Sequence, residues 1–405
     1  MRLKILIDDK KILIISECFY PEEFKVNDIA LKWQSMGYKV DVLTLVPTYP
    51  LGQVYKNYKN RIFFKEEYKG INIIRIRAIT GYIQSPFKKI LKYINFMLFG
   101  GLVGVFIGKR YDYVFGYNLG SLTDMLPAII IRKIYKKPLT LWVQDLWPDS
   151  VYAFGFKKTK TLSIILNSFV KYIFHSVDNI AISSKGFESK LSPFVKKGNV
   201  FHYIPNWADD LNVDHELFKL SEDDKVHLTF AGNIGKVQNL ENIINSFISL
   251  PSSYQKRAQL NIIGDGSNLS LLKDLSNNNQ AIIFFGKIPR QKIAKYLLAS
   301  DFLILSLASD SIFSVTVPSK MQTYIAAKKP IIGIIKGDSA NIIKDNNLGI
   351  TADPEDIGLI AEAFKRCIDM SGYEKKSFIK NNEELLKFKF NQHVIINKLT
   401  KIVIK

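Results

Sequence analysis

The sequence predicts an α/β protein built from two doubly wound parallel sheets. Three observations carry that expectation. Short apolar runs alternate with longer stretches of helical periodicity, the pattern of repeated βαβ units. The alternation runs through the first half of the chain and starts again in the second. Between the two series lies Ile204–Phe218, IPNWADDLNVDHELF, polar and rich in turn formers. A chain of 405 residues is long enough for two such domains.

Taken in order, Lys11–Ser16 (KILIIS) reads as a buried strand. The helical pattern Asn27–Met36 stops at Gly37 and leads into a second strand, Lys39–Thr44. Strand-like runs recur at Ile73–Arg77, Tyr113–Phe115, Leu139–Val143, Asn179–Ser183 and Val200–Ile204, with helical patterns between them. In the second half, Val226–Ala231 is a strand followed by a helix near Leu240–Leu250. Gln259–Ile263, Ala281–Phe285, Phe302–Ser306 and Pro330–Ile334 read as further strands, each followed by a helix. The expected domains are residues 1–205 and residues 206–387, two Rossmann-like folds facing across a cleft at the carboxyl ends of their sheets.

Composition narrows the class. Apolar residues at 47% with charged residues at 23% exclude a disordered chain, and 14 Pro and 23 Gly without a short period exclude a collagen-like one. Cys18 and Cys367 stand too far apart for a disulfide framework or a metal cluster, which points to a reducing, cytosolic compartment. The histidines never fall in metal-ligand spacing, and the opening MRLKILIDDKK lacks the apolar region of a signal peptide.

The net charge of +19 is unevenly spread. Residues 1–205 hold 31 Lys and Arg against 15 Asp and Glu, a net +16, and the remainder hold 25 against 22, a net +3. A one-sided basic surface calls for an anionic partner, either nucleic acid or an anionic leaflet. Pro86–Arg110 sharpens the choice. Its uncharged run, Tyr93–Gly108, reads as too short and too glycine-broken to span a bilayer. Lys88, Lys89 and Lys92 precede the run, and Lys109 and Arg110 follow it. A helix lying in the membrane interface fits this pattern. So does a crossover helix buried against the sheet.

Familiar motifs are mostly missing. No GxGxxG follows the first strand, which argues against a dinucleotide oxidoreductase. GxxxxGK[ST], GxSxG and HExxH do not occur, and no DxD stands at a strand end. The positive signals are loops at successive strand ends. Ala231-Gly232-Asn233-Ile234-Gly235-Lys236 follows a strand and precedes a helix, so its glycines let the backbone approach a ligand and Lys236 adds charge. Gly264-Asp265-Gly266 and Gly286-Lys287-Ile288 follow the next two strands. Ser314-Val315-Thr316-Val317-Pro318-Ser319-Lys320 precedes a helix whose start favours anions. A plain βα turn explains any one of them; four in succession point to a ligand. In the first half, Gln144-Asp145 ends a strand and aims a carboxylate at the cleft, and Phe19-Tyr20-Pro21-Glu22 forms another loop on that rim. Helix capping by Asp145 or Asp149 is the bland alternative. Lys236, Lys320 and two helix starts offer positive charge and amide donors to an anionic ligand, and Asp145 adds a carboxylate across the cleft.

FYPEEFKVNDIA, PTYPLG, DLWPDSVYAFG, IPNWAD, AGNIGKVQNL, GDG and VPSKMQTYIAAKKPI occur in this order over nearly the whole chain. In these segments the chain resembles the retaining glycosyltransferases of family 4, which have the GT-B fold. The likeness is strongest to the bacterial O-antigen, capsule and colanic-acid branch that includes the L-fucosamine transferase WbuB. The resemblance implies a UDP-sugar donor and an undecaprenyl-pyrophosphate-linked saccharide acceptor. It implies transfer of an N-acetylated deoxy-hexosamine such as L-FucNAc by front-face attack with retention. No cofactor, metal or nucleic acid is expected. The expected location is peripheral, on the cytoplasmic face of the inner membrane at its anionic surface. A last helix, about 388–405 and including Gln392–Ile404, would pack back on the first domain.

Residue by residue, the family's phosphate-binding Arg aligns with Asn233 and its following Lys with Gln238. Its two glutamates fall near Val315 and at Thr323, the glycine before the last strand is Lys328, and the histidine before the cleft-facing Asp is Gln144. The expected substrate-binding positions are Tyr20, Pro21, Glu22, Gln144, Gly232, Asn233, Gly235, Gly264, Asp265, Gly266, Lys287, Ile288, Thr316, Val317, Pro318, Ser319 and Thr323, with Asp145, Lys236 and Lys320 as the catalytic set. The departures leave two other readings in view: a non-catalytic GT-B subunit that recruits a partner transferase, and a UDP-sugar 2-epimerase.

Overall fold

The computed structural model describes residues 10–153, 156–208, 211, 218–221, 224–309 and 314–405. Residues 1–9, read above for a leader, and residues 209–210 and 212–217 of the polar link lie outside the described residues. The chain forms two compact units, Met1–Pro205 with Ile396–Lys405, and Asn206–Ile395.

The first unit is built on β1 (Lys11–Ile15), β2 (Lys39–Leu45), β3 (Phe63–Tyr68), β4 (Ile71–Ile76), β5 (Tyr113–Asn118), β6 (Leu139–Val143), β7 (Asn179–Ile182) and β8 (Phe201–Tyr203). They form one sheet in the order β3-β4-β2-β1-β5-β6-β7-β8. Strands such as β1 and β6 are covered on both faces, so they appear as unbroken apolar runs. One strand corrects the all-parallel expectation: β3 pairs antiparallel with β4 at the sheet edge. Its sequence, FFKEEY, alternates between half-buried and exposed positions and offers no apolar run. Arg75 on β4 is wholly buried; it pairs with Glu66 on β3 at 2.6 Å and donates to the Leu45 carbonyl.

The principal helices of this unit are α1 (Lys25–Ser35), α2 (Pro86–Ile107), α3 (Leu126–Tyr135) and α4 (Lys160–His175). Ser85 caps α2 by accepting the Lys88 N–H, with Pro86 in the first turn. The glycines do not break this helix, contrary to the sequence expectation. Gly100 and Gly108 let it lie directly on α3, because a Cβ at either would come within 2.9 Å of Pro127 or 2.8 Å of Ile131. By length and composition α2 is also sufficient to cross a membrane, a second departure from the reading of the run as too short.

The second unit comprises β9 (Val226–Ala231), β10 (Ala258–Ile263), β11 (Ile282–Gly286), β12 (Phe302–Ser306), β13 (Ile331–Ile334) and β14 (Gly349–Ala352), parallel throughout and ordered β11-β10-β9-β12-β13-β14. β14, a four-residue strand that begins on Gly349, was not anticipated. Here the principal helices are α5 (Leu240–Ile248), α6 (Leu269–Leu275), α7 (Arg290–Ala299), α8 (Ser319–Ala326), α9 (Asp338–Asp345), α10 (Ile357–Ile368) and α11 (Gly372–Phe388). One apolar core, with Phe230, Leu260 and Phe364, lies on one face of the sheet, and a second, with Leu303, Tyr324 and Ile325, on the other. Last comes α12 (Gln392–Val403), whose final turns belong to the first unit. There the Trp33 indole N–H donates to Thr400 Oγ1 at 2.8 Å, and Asn179 donates to the Ile402 carbonyl.

Candidate functional site

In a doubly wound sheet, ligands settle outside the carboxyl ends of the strands where the strand order reverses. In the second unit that point lies between β9 and β12. A pocket of about 910 Å³ opens there, walled by the turns after β9, β10 and β11 and by the start of α8. The first two turns interlock. Gly232 N–H donates to the Ile263 carbonyl at 2.9 Å, Ile234 N–H to the Asp265 carbonyl at 2.9 Å, and Asn268 N–H to the Ile234 carbonyl at 3.1 Å. A Cβ at Gly264 would strike the Gly232 carbonyl, so only glycine permits the crossing at that positive φ.

Of the anticipated residues, Gly232, Asn233, Gly264, Asp265, Gly266, Lys287, Ile288, Ser319, Lys320 and Thr323 line this one pocket. Lys320 is its chemical centre. The side chain leaves the first turn of α8 and runs under Gly232, with its ammonium 4.0 Å from the centroid of the Phe230 ring. Buried Nζ has no hydrogen-bond partner among the described residues. Burial pushes its pKa down to about 8. Thr323 donates to the Ser319 carbonyl. Asp265 accepts the Gly266 N–H.

Gly235, Lys236, Thr316, Val317 and Pro318 are not in the lining. Lys236 is exposed and opens a 3₁₀ turn, Lys236–Gln238, and the helix expected near Leu240–Leu250 follows as α5. Gln238, where the family resemblance expects a lysine, ties the loop together by accepting from Gly235 N–H and Asn233 Nδ2. Val317 packs into the core, Thr316 gives its carbonyl to Ser339, and Pro318 sets the entry to α8. Sequence reading missed Arg290 and Tyr324 on the pocket wall. Arg290 opens α7 just past the Gly286-Lys287-Ile288 turn, a position the run GKIPR makes visible. Tyr324 uses its hydroxyl to accept the Ala231 N–H and donate to the Ala231 carbonyl, which fixes α8 to the end of β9.

In the first unit the rim residues serve structure more than display. Glu22 is 3% exposed and accepts from Thr48 N–H and Tyr49 N–H at 2.8 and 2.7 Å, which fixes the turn after β2. Burial raises its pKa despite those bonds. Tyr20 stacks on Tyr68 at 3.6 Å, and Pro21 stands between Tyr20 and Glu22 in the chain. Gln144 N–H bonds to the Asn118 carbonyl. Asp145 does not cap a helix: its carboxylate accepts the Gly120 N–H from the neighbouring strand's loop, and burial raises its pKa. Nearby is a buried charge cluster that sequence reading missed. Lys92 of α2 pairs with Glu17, at the end of β1, at 3.0 Å, with side chains 12% and 3% exposed. Burial pushes the Asp124 carboxyl well up, and Glu17 beside it adds to the effect. Lys92 is therefore not part of the exposed basic flank assigned to it above. Among the described residues no group of three or more His, Cys, Asp or Glu is placed to hold a metal ion.

Two Rossmann-like α/β units, the second with a glycine-walled, lysine-bearing pocket at its switch point, make up the GT-B fold. Residues 213–385, which fall in that second unit, match the family model described as Glycosyl transferases group 1. The chain is 25% identical over 232 residues to "Probable glycosyltransferase WbjE" of Pseudomonas aeruginosa, covering 53% of this chain and 56% of that protein. It is 25% identical over 255 residues to WcaI of Escherichia coli K12, named as a colanic acid biosynthesis glycosyl transferase, covering 58% and 62%. The matches thus span about three fifths of those relatives' length. An Escherichia coli structure titled trehalose-6-phosphate bound with UDP-2-fluoro glucose superposes with a TM-score of 0.69 at 10% identity, covering 98% of this chain and 99% of that one. In these stretches the chain is similar to group 1 glycosyltransferases.

Proposed function

We propose that this chain is a retaining glycosyltransferase. It moves a sugar from a UDP-sugar to an undecaprenyl-pyrophosphate-linked saccharide in bacterial O-antigen or capsule biosynthesis. One observation carries the reading: Lys320, an ammonium with no hydrogen-bond partner among the described residues, sits at the first turn of α8 between glycine turns that let a ligand's phosphates approach the backbone. As the glycosidic bond to the donor breaks, negative charge grows on the leaving diphosphate. Lys320 and the positive end of the α8 dipole meet that charge in place, where it is worth most. Front-face attack by an acceptor hydroxyl then retains the anomeric configuration. The donor sugar in this reading is an N-acetylated deoxy-hexosamine such as L-FucNAc. The enzyme needs neither metal nor cofactor and works on the cytoplasmic face of the inner membrane. The UDP-sugar named in the trehalose-6-phosphate structure's title supports the donor class.

The test is a panel of UDP-sugars, following UDP affinity by calorimetry and UDP release with a lipid-linked acceptor. The expected result is UDP binding to the wild type and release with one donor, persisting in excess EDTA. No UDP binding and no release with any donor would overturn the reading. Loss in EDTA restored by manganese or magnesium would overturn its metal-free part.

A further inference from the structure

Helix α2 has two unlike faces. Lys92, Phe96, Gly100 and Gly104 recur at four-residue steps and are turned into the protein. The opposite stripe is open: Phe87, Leu98, Leu102 and Phe106 are 68%, 57%, 56% and 73% exposed. α4 repeats this pattern in the same layer. Its Ile164 and Ile165 are 58% and 59% exposed. The two helices are joined through α3, which receives the glycine face of α2 and whose Lys133 donates to Tyr172 of α4 at 2.9 Å. Apolar exposure on this scale marks an interaction surface.

Charge identifies what the surface meets. From Pro86 to Arg110, and again from Phe156 to His175, the chain has no Asp or Glu. Exposed lysines stand at the helix ends instead: Lys88 and Lys109 on α2, and Lys157, Lys158 and Lys160 at the start of α4. Two neighbouring helices with apolar outer faces, basic ends and no carboxylates complement an anionic lipid leaflet. Although α2 is long enough to cross a membrane, its packing keeps it from doing so. Crossing would pull Lys92 from Glu17 and strip the glycine face from α3, leaving a buried charge unpaired.

We propose that α2 and α4 together form a face that docks in the plane of an anionic bilayer, with the exposed side chains of both helices entering the acyl boundary. The proposal deepens the reading of a lipid-linked acceptor and rests on it for the choice of leaflet. The experiment is cosedimentation of the full chain with vesicles of phosphatidylcholine alone, or mixed with phosphatidylglycerol, at low and high salt. The wild type binds the mixed vesicles, partly releases at high salt and is extracted by alkaline carbonate. Ile164→Gln with Ile165→Gln, or Lys157→Glu with Lys158→Glu and Lys160→Glu, lowers partitioning by about tenfold or more. These positions are exposed, so melting temperature and UDP affinity stay at wild-type values. Wild-type partitioning by either α4 variant removes α4 from the face, and resistance to carbonate overturns the in-plane arrangement. A dimer in light scattering that the isoleucine changes dissolve, without vesicle binding, means that a second copy covers the face. UDP binding without vesicle binding overturns this proposal alone. Vesicle binding without UDP binding overturns the functional reading alone.

Discussion

The ammonium of Lys320 stands 4.0 Å from the centroid of the Phe230 ring, and Gly232 has no side chain because Lys320 fills that space: a Cβ there would lie 2.5 Å from Nζ. The ring face favours a cation while burial disfavours it. Burial prevails, so the lysine is held near its titration point until an anion arrives.

The pH dependence of UDP affinity follows. Below about pH 8 Lys320 is charged in the free protein and affinity is flat. Above that value binding requires taking up a proton, and affinity falls by up to tenfold per pH unit. Folding shows the opposite slope. An unfolded lysine keeps its proton up to the ordinary 10.5, so between about 8 and 10.5 the unfolded state binds more protons and stability rises with pH. Lys320→Met should abolish both slopes in calorimetry and denaturation, and Lys320→Ala should cut turnover by about 10² or more. A Lys320→Ala enzyme with wild-type rate and donor affinity removes the residue from the site.

Gly232→Ala tests the space under the loop. The new Cβ displaces Lys320 and occupies a φ of +151°, which suits glycine best. UDP affinity should drop about tenfold, the scale of one displaced charge-assisted contact, with a lower melting temperature. Unchanged affinity would show that Lys320 does not need this position to bind.

Lys92→Met should destabilise the protein by about 3–5 kcal/mol in urea denaturation, because Glu17 is left charged and buried. Adding Glu17→Gln should restore part of the loss. A near-neutral single change would show that the pair is hydrated. Lys92→Glu, by the same logic, reports on folding and not on membrane contact.

Asp145→Asn keeps an oxygen that can accept the Gly120 N–H. Melting temperature should barely move while the transfer rate falls, if the carboxylate orients a sugar. A stability loss of about 0.5–2 kcal/mol with full activity per folded molecule would make Asp145 a purely structural support of the Gly120 loop.

The parallel strands were legible because burial on both faces leaves unbroken apolar runs, as in β1 and β12. β3 was not, because an edge strand with one wet face spells FFKEEY. The pocket was legible as four loops, since glycines mark where backbones cross. The two loop lysines could not be ranked. Lys236 and Lys320 look alike as letters, and only the fold exposes one and buries the other. Lys92 could have been found: it stands four residues before Phe96 and eight before Gly100, on the helix face that packs inward. The partner across that interface, Glu17, lies 75 positions earlier and no local pattern connects them.

The path of the chain has a consequence for biosynthesis. The second unit is one continuous stretch, whereas the first is closed by Ile396–Lys405 through Thr400 on Trp33 and Ile402 on Asn179. The segment that completes the first unit is made only after the whole of the second unit. Until that segment is joined the first unit keeps its binding place for it open, whereas the second unit already has all of its residues. A chain cut after Ile395 should therefore carry a protease-resistant second unit and a cleavable first one.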